Sequence, residues 1–188
     1  MAEPRISPSH KASRSETHTS RPAQPLRQIA GAEIGANITA TVEALVAAGA
    51  DVDARFTGPH NETPLHSAAS SDDVSALNAL LDAGADIEAR GAVIGGGTPI
   101  SDATAFRQWV AARRLLERGA STTLGEAATL GVIDRVHGYL NAENPPTPEE
   151  ITEAFWSACH GGQRQVADLL LRRGADINWI GWDELNQS

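Results

Sequence analysis

The chain is short of several residue types, and each shortage excludes something. Its single cysteine, Cys159, rules out an internal disulfide framework. Aromatic residues make up 4% of its 188 residues, and no apolar run approaches the about 18 residues of a membrane span, so a soluble chain without a membrane helix is expected. The six histidines show neither zinc-finger spacing nor an HExxH pair, so no metal site or cofactor is expected. Lys11 is the only lysine among fifteen basic residues. With abundant alanine, that arginine bias is a hint of a GC-rich bacterial genome.

Charge divides the chain. The net charge is −9, yet residues 1–27 carry Arg5, Lys11, Arg14, Arg21 and Arg27 against Glu3 and Glu16, which is +3 and leaves −12 on the remainder. Rich in Pro, Ser, Thr and Arg, this tail buries too little apolar surface to offset chain ordering, and disorder is expected there. No apolar segment follows the early charges as a secretory signal requires, so the cytoplasm is the expected location. The triplets at Asn37 and Asn61 match a glycosylation site only if the chain is secreted. A nucleic-acid binder needs a basic footprint, and the acidic body excludes one. Arg113, Arg114, Arg118, Arg172 and Arg173 read as solvated faces of helix C-termini.

What is present is a repeat. Gly49-Ala50-Asp51-Val52-Asp53-Ala54-Arg55 returns as Gly84-Ala85-Asp86-Ile87-Glu88-Ala89-Arg90 and as Gly174-Ala175-Asp176-Ile177-Asn178, with a fainter copy at Gly119-Ala120-Ser121. Gly49 to Gly84 and Gly84 to Gly119 are both 35 residues, a period that implies stacked supersecondary units. Each unit has a start and a stop. Thr63 suits a helix N-cap and Pro64 the first helical position, while Val74, Leu77, Leu80 and Leu81 form the apolar face of a second helix ending at Gly84.

With Thr63-Pro64-Leu65-His66-Ser67-Ala68-Ala69 followed by Leu80-Leu81 and Gly84-Ala85, the unit resembles the ankyrin repeat. Thr98 to Gly119 repeats the 21-residue spacing of Thr63 to Gly84, and counting back 21 from Gly174 starts another copy at Glu153, with Ala158-Cys159 as the paired small residues. A further copy fits from Thr122, only three residues past Gly119, so most of its finger is missing. Thr147-Pro148-Glu149-Glu150 reads as a capping box, starting the last first helix early. A degenerate copy starts near Gln28, with Glu33 and Ile34 where small residues belong.

The expectation is thus an all-α ankyrin-repeat solenoid of about five helix-turn-helix units with short finger hairpins, the repeats at about 28–62, 63–97, 98–121, 122–152 and 153–185 of a domain over 28–188. The resemblance implies that His66 ties adjacent turns by hydrogen bonds. It also implies a non-enzymatic scaffold whose fingers and first helices bind a protein partner. No catalytic residue is expected. Gly91–Thr98 has phosphate-loop spacing but Gly97 in place of the lysine, and Cys159 and His160 diverge by about 100° on a helix, so Cys159 reads as a buried small residue.

The expected contact residues are those the fold does not require: Phe56, His60 and Asn61 in one finger, Val93 and Ile94 in the next, and Trp179, Ile180 and Trp182 in the last. No polar cap follows the final repeat. Its end, with Leu170 and Leu171 on the packing face, is expected either to be shielded by Trp179 and Trp182 or to recruit a partner, self-association included. The alternative reading is a regulatory or targeting fragment of a longer ankyrin-containing enzyme.

Overall fold

Helix pairs follow one another along the chain because the same start and stop chemistry recurs. The computed structural model describes residues 38–58, 61–93 and 95–179. The tail at 1–27, the opening of the first repeat from Gln28, and His60, Ile94, Ile180 and Trp182 lie outside the described residues. Nine helices are described: α1 (Ile38–Ala47), α2 (Pro64–Ser70), α3 (Val74–Asp82), α4 (Pro99–Ala105), α5 (Trp109–Glu117), α6 (Leu124–Leu130), α7 (Ile133–Leu140), α8 (Pro148–His160) and α9 (Arg164–Arg172), with no strand among the described residues.

The caps explain these bounds. Thr63 and Thr98 take extended N-cap geometry with proline at the first helical position, where no amide hydrogen is needed. Asp73 starts α3 by accepting the Ala76 amide at 2.9 Å. Four of the second helices, α1, α3, α5 and α9, stop on a glycine in the left-handed region: Gly49, Gly84, Gly119 and Gly174 have φ between 82° and 98°, whereas α7 ends on Asn141. The following alanine amide then turns back onto a leucine carbonyl, as in Ala85 to Leu80 and Ala120 to Leu115. The recurring Gly-Ala pair is therefore a helix C-cap.

Packing follows the repeat. First helices stack on first helices, α2 on α4 and α6 on α8, while α1 meets α3 and α3 meets α5 on the other layer. Leu65, Leu77, Leu80, Ile100, Leu115 and Leu170 are fully buried between the layers. Each such side chain contributes about 1.5–3 kcal/mol by leaving water. Arg114 and Arg118 reach back to Asn78 and Asp82 of the preceding second helix, at 2.7 Å for Arg114 Nε to Asn78 Oδ1 and for Arg118 Nη2 to Asp82 Oδ1. These two arginines are tethers between repeats as well as a solvated face.

The core is parted where the finger is missing. One apolar cluster runs from Ile38 and Val42 through Leu77 and Leu80 to Leu115, taking in Leu130, and a second gathers Ala127, Ala128, Val136, Leu140, Ala154, Val166 and Leu170. Polar contacts join the two sides: Arg135 donates to the Ala120 carbonyl at 2.9 Å and to Thr122 Oγ1 at 3.2 Å, and the Tyr139 hydroxyl donates to the Thr122 carbonyl. Two details differ from the sequence reading. The N-cap of α6 is Thr123 instead of Thr122, because Glu126 reaches back to the Thr123 amide to close a capping box, while Ala127 and Ala128 keep the buried small-residue positions.

Cys159 is exposed, not buried. Its counterparts Ala69 and Thr104 are buried, at 0% and 7% exposure, with a further first helix stacked after their own; among the described residues none stacks after α8. Leu170 is fully buried in the second cluster and Leu171 half-buried, while Trp182, one of its two expected shields, lies outside the described residues. The early start of the last first helix is observed, with Thr147 accepting the Glu150 amide and Glu150 accepting that of Thr147 at 2.7 Å.

Candidate functional site

Two surfaces concern binding, the fingers and the exposed side of the first helices. The fingers are held in line by carboxylates. Asp51, Asp86 and Asp176 each accept the amide two residues on, at 2.8–3.0 Å, which bends the finger locally. Asp53 then accepts the Asp86 amide at 3.0 Å, and Glu88 accepts the Ser121 amide at 2.7 Å. Burial raises the Asp53 carboxyl above its usual range; the Asp86 amide works against this, and the Asp86 and Asp51 charges add to it.

The first helices are linked by the third residue after each cap. His66 Nδ1 accepts the Thr63 amide at 3.2 Å and its Nε2 meets the carbonyl of Gly97, the residue before the Thr98 cap of the next repeat, at 3.3 Å, which selects the neutral ring with its proton on Nε2. Burial lowers the His66 pKa below its ordinary value, the Gly97 bond opposes this, and the Arg55 charge lowers it further. In the following repeat Ser101 replaces the histidine. Its hydroxyl accepts the Thr98 amide at 3.1 Å and donates to Glu126 at 2.7 Å, so a serine–glutamate pair makes the same inter-repeat link.

Along α6 and α8 the surface opens into a trough. Two depressions of about 620 and 380 Å³ share the floor residues Thr123, Gly125 and Ser157. The larger extends to Tyr139, Pro146 and Glu153, and the smaller to Thr104 of α4 and to Trp156 and His160. Three successive first helices thus line one continuous surface. Trp156 is 57% exposed and lies parallel to the His160 ring at 6.1 Å with an interplanar angle of 5°, while Trp109 meets His160 edge-on at 6.1 Å.

Of the finger residues expected from sequence, the described ones, Phe56, Asn61, Val93 and Trp179, do not line this trough. Phe56 is half-buried and folds over Gly58, Asn61 is exposed with its carbonyl accepting from Arg55, and Val93 is exposed with its amide donating to Asp102. Trp179 is half-buried. Trp156 was not among the expected contacts, although counting back from Gly174 places it in the position of His66, where an indole cannot make the histidine link. Among the described residues no group of three or more His, Cys, Asp or Glu is placed to hold a metal ion, and no helix is long and apolar enough to cross a membrane.

Comparison with protein families agrees with this geometry. The ankyrin repeat model matches residues 60–92 and 154–182, which contain α2–α3 and α9 with the end of α8. No curated protein is significantly similar to the chain. Between the two matched segments α4–α5 and α6–α7 form further helix pairs, the first with the same threonine–proline start and both within the same stack. From the glycine-capped helix pairs and the two matched segments, the chain carries ankyrin repeats.

Proposed function

We propose that the chain is a non-enzymatic scaffold that holds a protein partner on its fingers and first helices. Ankyrin repeats generally mediate protein–protein interaction. The observation that carries the reading is the trough over α4, α6 and α8, an extended surface of the kind stacked repeats offer to partners. The domain is taken as residues 28–188, with residues 1–27 a tail outside it. Phe56, His60, Asn61, Val93, Ile94, Trp179, Ile180 and Trp182 are the proposed finger contacts, with Trp156 added from the trough. A cytoplasmic setting fits the same reading.

The test is to isolate the partner with a tagged chain and measure its affinity for two variants. Ser157→Arg fills the trough floor, whereas Ser75→Arg adds the same side chain to an exposed position of a second helix. Ser157→Arg is expected to weaken binding about tenfold or more, with Ser75→Arg neutral. Equal affinities would remove the trough from the function.

A further inference from the structure

We infer that the Trp156 end of the trough receives an arginine side chain from a basic segment of the protein partner, an inference that rests on the scaffold reading above. Trp156 offers more than half of its surface to solvent. Its neighbour His160 is braced edge-on by Trp109, so the indole belongs to an ordered aromatic row. Such a platform attracts a cation through its ring face.

The charge around it has one sign. Glu126 lines the same depression as Trp156, and Glu150 and Glu153 line the adjoining one; neither depression has an arginine or lysine in its lining. The Glu126 carboxylate is fixed by Ser101 and by the Thr123 amide, both at 2.7 Å, and that of Glu150 by the Thr147 amide at 2.7 Å. These donors are a hydroxyl and backbone amides, so they orient the carboxylates without adding a positive charge. The ion pairs Arg114–Glu117, Arg118–Asp82 and Arg164–Asp168 do not involve Glu126 or Glu150.

An aromatic face beside pre-oriented carboxylates suits a guanidinium better than an ammonium. The planar group stacks on the indole while its edge donates hydrogen bonds, which a compact, strongly hydrated lysine head does less well. The trough continues past Gly125, which lines both depressions, toward Tyr139 and Pro146. It therefore admits a peptide segment, with the arginine at one end and apolar neighbours along the rest.

The experiment titrates the full-length, ¹⁵N-labelled chain with a hexa-arginine amide, and in parallel with hexa-lysine and hexa-glutamate, at about 0.15 M salt to screen diffuse attraction. The readout is the indole Nε1–H signals of the four tryptophans. Hexa-arginine is expected to move the Trp156 signal and to bind about threefold or more tighter than hexa-lysine, with no effect of hexa-glutamate. Trp156→Leu should weaken hexa-arginine binding about fivefold. Should that variant fail to fold, the Glu126→Gln/Glu150→Gln double variant, which retains both capping boxes, is expected to show a similar loss. A stationary Trp156 signal, or hexa-lysine binding as tightly as hexa-arginine, overturns the inference. If either occurs while Ser157→Arg still abolishes partner binding, the scaffold reading stands and only the arginine site falls.

Discussion

Glu88 accepts the Ser121 amide at 2.7 Å, one 35-residue period after Asp53 accepts the amide of Asp86. The same carboxylate-to-amide link thus recurs between successive repeats, and at Ser121 it spans the boundary where the next finger is missing. Glu88→Ala is expected to lower unfolding free energy by about 0.5–1.5 kcal/mol, the contribution of one such bond. Glu88→Gln, which keeps an acceptor oxygen, should lose less. Urea denaturation of the three proteins checks the order.

Stability should fall on the acid side because of His66. Its folded pKa lies below the unfolded value of about 6.5, so between the two the unfolded chain binds a proton that the native ring refuses. The His66 contribution is complete above about pH 6.5 and is lost as pH falls below it, since protonation of Nδ1 ends its acceptance of the Thr63 amide. Urea midpoints at about pH 7.5 and pH 5 should therefore differ less in His66→Gln than in the parent chain. An unchanged difference would show that other groups carry the acid loss.

Two glycines should respond oppositely to alanine. A Cβ on Gly161 would overlap the Thr129 carbonyl and backbone of the preceding repeat, whereas one on Gly138, inside α7, meets nothing within 4 Å. Gly138→Ala is expected to stabilise by about 0.5–1 kcal/mol through helix propensity. Gly161→Ala should force the last two repeats apart and cost about 1–3 kcal/mol. Thermal melts of both variants give the comparison.

Cys159 should be modified stoichiometrically by a thiol reagent in the native protein, without denaturant, because the side chain is exposed at the end of α8. Labelling that requires urea would place a covering element over α8.

Much of this fold is legible because its signals are local. Thr63-Pro64, the small pair Ala68-Ala69 and Gly84-Ala85 each specify a cap or a close contact by residue type alone, and each is found where the spacing puts it. What was not legible depends on neighbours. Cys159 has the residue type of a buried position, but burial there requires a following helix. The shift from Thr122 to Thr123 as a cap rests on the reach of Glu126, which competes with a one-residue offset that spacing alone does not resolve. Trp156 stands inside a first helix at the His66 position, where spacing alone does not mark an exposed ring. Its bearing on the site emerges only when α6, α8 and the end of α4 come together around it.

The most direct test of the binding role is amide hydrogen exchange of the chain alone and with its isolated partner. The account predicts slower exchange on binding along α6 and α8, at the Ala142–Pro146 loop and in the fingers, with α3, α5, α7 and α9 unchanged. Protection confined to those second helices, with α6 and α8 exchanging as in the free chain, would contradict it.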